Sequence, residues 1–225
     1  MNVSVIIPTL NESRLLPGTL QRLERIAPFE VLIGDGGSED DTAAIARHHG
    51  VRCIASERGR AVQMNAAARE ARGDLLLFLH ADSDLDASGF ERMTHIMQNG
   101  RYQGGAFSLS IDSHTPALQT ISRLATLRSR YLNLVYGDQG IFVRPEVFRA
   151  LGGFSPLPIC EDLDFFLRLK KQGRTVILRE TISTSARRWH AEGVVWTTSR
   201  NILIASLFLL GFSPVRLSKW YPPKR

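Results

Sequence analysis

Five consecutive apolar residues, "LLLFL" at 75–79, form the most hydrophobic of four short runs within the first 84 residues; the others are "VSVII" (3–7), "EVLIG" (30–34) and "RCIA" (52–55). Such runs, a few residues long and bounded by turn formers, predict strands covered on both faces, as in a parallel sheet. Between them apolar positions recur at helical spacing: Leu15, Leu16, Leu20, Leu23 and Ile26, then 42–48, then 61–71. Alternating strands and helices predict an α/β fold with right-handed crossovers and helices on both faces of a mostly parallel central sheet. After "NGRYQGG" (99–105) the pattern changes to a strand-like "AFSLSI", a helix near 117–130, "GIFV", a helix opening at Glu161 and a long apolar stretch after Val194. With no linker or repeat, the expected organisation is one domain, 1–225, of two lobes on one sheet, 1–100 and 101–225.

Polar residues follow every strand: "PTLNE", "DGGSEDDT", "SERGR" and "HADSD". Ligands of open parallel sheets bind beyond the carboxyl ends of the strands, so four such loops together mark a candidate site. Neither G-x-G-x-x-G nor G-x-x-x-x-G-K-[ST] is present, which leaves a dinucleotide fold and a P-loop unsupported. Arg58 and Arg60 open a helix where cations oppose its dipole, a placement eased by a nearby anion. In "HADSD", Asp82 and Asp84 are spaced to project together from an extended segment. Two like charges so placed repel unless a cation lies between them. A divalent ion with oxygen ligands is one solution; a turn and helix cap is the other. The residues alone leave both open.

Charge sharpens the picture at the other end. The net charge is +6, yet residues 1–167 hold 16 basic against 20 acidic side chains (−4) and residues 168–225 hold 12 against 2 (+10). A basic end suits phosphates, lipid headgroups or simply solvent. No nucleic-acid module is recognisable, so nucleic acid is not expected as a partner. Two widely separated cysteines, Cys53 and Cys160, and the lack of a leader before the first strand lead to the expectation of a reduced, cytoplasmic protein.

"VSVIIPTLNE", "DGGSEDDT", "GRAVQMNAA", "LLLFLHADSD" and "GGF…CEDLDFFLRL" occur in this order over about residues 3–173. Together they resemble the family 2 glycosyltransferases, inverting enzymes of the GT-A fold that use nucleotide-sugar donors. The resemblance implies a nucleotide-binding N-terminal half and an acceptor-binding C-terminal half. It implies a donor pocket made by Pro8, Thr9, Asn11 and Glu12, by Asp35 accepting from the base, by Gly36 and Gly37, and by Arg60 near the diphosphate. It also implies Mg²⁺ or Mn²⁺ on Asp84, with Asp82 on the ribose or a metal-bound water. Asp162 becomes the general base, with Asp164 as the fallback. Glu161, Gly137, Asp138 and Gln139 fall on the acceptor or diphosphate side. Capping and turn roles for Asn11, Glu12, Asp35 and the "ED" pair remain open beside these. A UDP-sugar is the favoured donor; the acceptor is unassigned, a lipid-linked one being compatible.

"SARRW" (185–189) resembles in part the Q-x-x-R-W signature of processive synthases, with Ser185 in the Gln position. That departure points to single additions. Arg187 or Arg188 would meet the diphosphate and Trp189 would stack on a sugar, or all three form an exposed basic loop with one anchoring aromatic. His80 and His190 are candidates for metal ligation or plain packing. Rival readings are a nucleotide-binding scaffold without catalysis and an Asp-x-Asp phosphatase. The stretch "ILIASLFLLGF" (202–212) is apolar all round and too short to span a bilayer. It is flanked by Arg200, Arg216, Lys219, Trp220, Tyr221, Lys224 and Arg225. It predicts a core helix, a homodimer contact through 194–212, or weak peripheral attachment to the inner face of the membrane.

Overall fold

The computed structural model describes residues 1–221; Lys224 and Arg225, expected to flank the apolar stretch, lie outside them. The four predicted strands form as β1 (Val3–Thr9), β2 (Glu30–Asp35), β3 (Arg52–Ala55) and β4 (Leu75–Phe78), joined by α1 (Leu16–Ile26), α2 (Thr42–His48) and α3 (Arg60–Arg69). All four pair in parallel, in the order β3-β2-β1-β4. Then come β5 (Ser83–Leu85), α4 (Ala87–Gln98), β6 (Gly104–Asp112), α5 (Pro116–Leu132), a 3-10 turn (Gly137–Gln139), β7 (Ile141–Val143) and α6 (Pro145–Ala150). The chain continues through α7 (Glu161–Gln172), β8 (Thr175–Ser185), α8 (Arg187–Glu192), α9 (Val194–Leu209) and α10 (Pro214–Ser218).

One eight-stranded sheet results, ordered β3-β2-β1-β4-β7-β6-β8-β5. β7 runs antiparallel to both neighbours, and β5 runs antiparallel to β8. Side chains of β1 and β4 alternate between two cores, as strand geometry demands. Val3, Val5, Ile7, Leu75 and Leu77 pack with α1 and α4, while Ile6, Leu76 and Phe78 pack with α3, α6 and α7. This is why those strands read as unbroken apolar runs. On the second face Phe78, Phe148, Phe154 and Phe165 stack with ring centroids 4.4–5.7 Å apart. Each such pair contributes about 0.5–1.5 kcal/mol beyond its buried area, and together they fix the start of α7 under the end of β4.

Candidate active site

Gln63, on α3, fastens the carboxyl ends of β1 and β2: its buried amide donates to the carbonyls of Thr9 and Gly34 (3.3 Å to the latter). A Cβ at Gly34 would lie 2.2 Å from the Gln63 carbonyl oxygen, so only glycine lets α3 come this close. Gly36 likewise faces the Gln63 amide; its small size serves this packing. The first two loops then lock together. Asn11, at φ 57°, accepts from Glu39 N–H at its side chain and donates its own N–H to Ser38 Oγ, and Glu12 N–H donates to Thr42 Oγ1. Asp35 was expected to accept from a base. Its carboxylate accepts from Thr9 Oγ1, Ser38 Oγ and the backbone N–H groups of Gly37 and Ser38, which also makes it the anchor of this turn. Pro8 sits half-buried in β1.

β4 stops at Phe78, and the "HADSD" segment turns: Ser83 N–H bonds His80 C=O before β5 begins. The two aspartates then meet different arginines. Asp84 lies half-exposed against Arg22 of α1, Oδ1 to Nε 3.2 Å, whereas Asp82, 17% exposed, faces Arg187 of α8 at 3.6 Å. Asp84, expected on the metal, thus meets Arg22 of α1, and Asp82, expected on the ribose or a metal-bound water, meets Arg187. Arg187 also reaches Glu12 at 3.7 Å, so one guanidinium bridges the loops after β1 and β4. Burial raises the Glu12 pKa and the neighbouring Asp82 adds to that, while Arg187 opposes both.

Opposite these residues stands the start of α7. Cys160, in the left-handed region at φ 63°, turns the chain so that Glu161, Asp162 and Asp164 fill the first helical turn, where the dipole favours anions. Asp162 is held at both oxygens, by Gly137 N–H (2.5 Å) and Leu163 N–H (2.7 Å). Glu161 is buried against Arg60 at 3.3 Å; burial raises its pKa and Arg60 opposes the rise. Asp164 is engaged elsewhere, by Ser155 Oγ at 2.7 Å and Arg168 at 2.9 Å. His80, Gly137, Glu161, Asp162 and Arg60 line one small cleft. Burial, helped by Arg60 and Arg188, pushes the His80 pKa down to about 3, so its ring is neutral. Asp138 is pushed up to about 6, first by burial and then by Asp162 and Asp82, and its Oδ1 is buried without a hydrogen-bond partner.

Two acceptor-side expectations are corrected. Gln139 is wholly buried, donating to Phe107 C=O and Ser129 Oγ and accepting from Arg128, so it braces β6 and α5 instead of facing a ligand. Trp189 packs on the cluster of Leu109, Ile111, Leu118 and Ala125, its Nε1 donating to Thr198. The anchoring-aromatic reading describes it, because α8 turns that face onto β6 and α5. Arg188 lies with its guanidinium carbon 4.5 Å from the ring centre of Tyr221, and Arg200 does the same from α9 at 4.7 Å. Tyr221 and Arg200 entered the sequence reading only as flanks of an apolar stretch. His190 is exposed.

The model of the family described as glycosyl transferase family 2 matches residues 4–150. A PGL/p-HBAD biosynthesis glycosyltransferase of Mycobacterium bovis is 40% identical over 162 residues, covering 68% of this chain and 51% of that protein. Other curated glycosyltransferases that it matches are spanned over 44% to 62% of their length. Among solved structures, Staphylococcus aureus TarS in complex with UDP-GlcNAc superposes with a TM-score of 0.67 at 18% identity, over 82% of this chain and 58% of that one. Glucosyl-3-phosphoglycerate synthase of Mycobacterium tuberculosis, with Mn²⁺, UDP and glucosyl-3-phosphoglycerate, gives 0.59 at 17% identity, over 80% and 70%. At these identities the two structures speak to the fold, which is that of the GT-A glycosyltransferases. The family match, spanning well over half of the chain, sets the phosphatase reading aside: the chain belongs to glycosyltransferase family 2.

Proposed function

We propose that this chain moves a sugar from a nucleoside-diphosphate donor to a hydroxyl acceptor, with inversion and in single additions, using Asp162 as general base. The observation that carries this reading is the placement of Asp162: both oxygens are held by backbone N–H groups, in a cleft shared with His80 and Arg60. A base fixed in this way takes the proton from an acceptor hydroxyl as that oxygen attacks the anomeric carbon opposite the leaving diphosphate. Direct displacement of this kind inverts the centre. Glu12, Asn11 and Arg60 then serve the donor, and Arg187 and Arg188 neutralise charge developing on the leaving group. Residues 1–100 contribute chiefly to the donor side and those beyond chiefly to the acceptor side, with Arg187 crossing between them.

Mg²⁺ or Mn²⁺ fits this site through Asp82. Among the described residues no three His, Cys, Asp or Glu side chains gather to cage an ion; Mg²⁺ ordinarily takes one or two carboxylates and completes its shell with water and substrate phosphates. Asp82 supplies such a carboxylate, with neutral His80 two residues before it. When bound, the ion offsets negative charge on the departing diphosphate. A uridine donor is the one we favour, as in the two complexes described above, with a guanosine donor as the alternative. A thermal-shift panel of UDP-, GDP-, dTDP- and CMP-sugars, with and without Mn²⁺, tests the reading. Stabilisation by one nucleotide that depends on Mn²⁺ supports it; no response to any of them overturns it. For the acceptor we infer a lipid-linked hydroxyl, which suits the excess of basic over acidic side chains in residues 168–225.

A further inference from the structure

α9 has two unlike sides. Thr197, Arg200, Ile204 and Ala205 are buried. The other side repeats apolar pairs every seven residues, and all six remain in solvent: Val195 and Trp196 (79% and 64% exposed), Ile202 and Leu203 (58% and 50%), Leu209 and Leu210 (45% and 75%). The expectation for this stretch was burial all round or entry into lipid; the protein's own core covers only half of it. α9 packs against α5 and α10, and both extend the surface. α5 adds Leu124, Leu127 and Tyr131 at i, i+3 and i+7, and the end of the chain adds Val215 and Trp220. An exposed apolar surface this extensive marks a contact made with something else.

Charge identifies that partner. Neither 116–132 nor 194–221 contains an Asp or Glu, while Arg123, Arg130, Arg216 and Lys219 are exposed there. In a twofold dimer the patch would meet itself, cation against cation with no carboxylate to pair. An anionic lipid surface complements both features at once: acyl chains for the leucines, headgroups for the cations, and the interfacial zone for Trp196, Tyr131 and Trp220. Among the described residues no helix is long and apolar enough to cross a membrane. At 16 residues α9 is about 24 Å long, suited to lying in the plane.

We propose that the outer face of α5, α9 and α10 docks this protein shallowly on an anionic bilayer. On its inner side the docked helix carries the Arg200 that brackets Tyr221 with Arg188. The inference stands on the surface alone, apart from the glycosyl-transfer reading, and is tested without turnover.

Phosphatidylcholine vesicles with graded phosphatidylglycerol content should sediment the chain increasingly as the anionic fraction rises, and less as salt is added. Ile202→Asp combined with Leu203→Asp, both at exposed positions, should preserve the melting temperature and lower the vesicle partition coefficient at least about tenfold. Arg216→Glu with Lys219→Glu should lower it chiefly in anionic vesicles and at low salt. Absence of sedimentation with phosphatidylglycerol-rich vesicles at low salt would overturn the proposal. So would binding left unchanged by both double variants, or a dimer in solution that the Ile202/Leu203 variant converts to a monomer while neither form binds vesicles.

Discussion

Gly137 donates its backbone N–H to Oδ2 of Asp162, joining the turn before β7 to the first turn of α7. The contact leaves no room for a side chain: a Cβ at Gly137 would lie 2.8 Å from His80 Nε2 and 3.1 Å from Asp162 Oδ2. Gly137→Ala should therefore push the proposed base off its position. Nucleotide release from the donor should slow by about 10- to 100-fold, with donor affinity by calorimetry nearly unchanged. Unaltered turnover would show that this hydrogen bond does not position a reacting group.

Asp162 and Asp164 share a helical turn but should behave differently. Asp162→Asn should keep donor affinity and lose about 10²- to 10⁴-fold in turnover, the usual contribution of a general base. Asp164→Asn breaks its ties to Arg168 and Ser155. It should lower stability by about 1 kcal/mol and spare the chemistry. Loss of activity at 164 with activity retained at 162 would reverse the assignment.

Asp82 and Asp84 can be separated by metal-dependent binding. Asp82→Asn should weaken affinity for UDP, or whichever nucleotide the panel selects, at least about tenfold in Mn²⁺ and little in EDTA. Asp84→Asn removes only a half-exposed contact to Arg22 and should bind like the parent. Titration calorimetry of both variants decides the matter. Equal weakening would restore the joint Asp-x-Asp site.

Asp138 and His80 give opposite pH signatures. The Asp138 pKa rises on folding from 3.8 to about 6, so the folded chain holds this proton more tightly than the unfolded one; stability falls as pH rises through that window and the cost is complete above it. The His80 pKa falls on folding from 6.5 to about 3, so the unfolded chain takes the proton first and stability is lost as pH drops from 6.5 towards 3. Asp138→Asn removes the first effect. It should stabilise the protein at pH 7 by on the order of 3 kcal/mol and by much less at pH 4. Melting temperatures across pH 4–8 check this; a gain independent of pH would show that Asp138 is not the titrating group.

The order of strands and helices up to residue 79 was legible because each apolar run had both faces to fill. β8 was not, since "TVILRETISTS" mixes charge and hydroxyls in a strand that lies next to last in the sheet, partly exposed. The family resemblance brought Glu12, Arg60, Glu161 and Asp162 to one place, and the structure sets Arg60 on Glu161. It gave no sign of the arginines that Asp84 and Asp82 meet, because Arg22 and Arg187 lie more than 160 residues apart in the chain. Nor does spacing reveal that Gln139 and Trp189 face inward. Both are polar or amphipathic side chains whose hydrogen-bond partners, Phe107, Ser129 and Thr198, become visible only when the chain is folded.

The strand that follows Asp82 imposes an order on biogenesis. Ser83–Leu85 pairs with Ile182–Thr184, so about a hundred residues must leave the ribosome before β5 finds its neighbour. At roughly 5–20 residues per second the wait is about 5–20 s. During that interval β1 to β4 can assemble, while the "HADSD" turn and the last strand position stay open. Nascent chains released before residue 185 should consequently be captured by chaperones or degraded, whereas chains released just after it should already protect the 80–85 segment from protease.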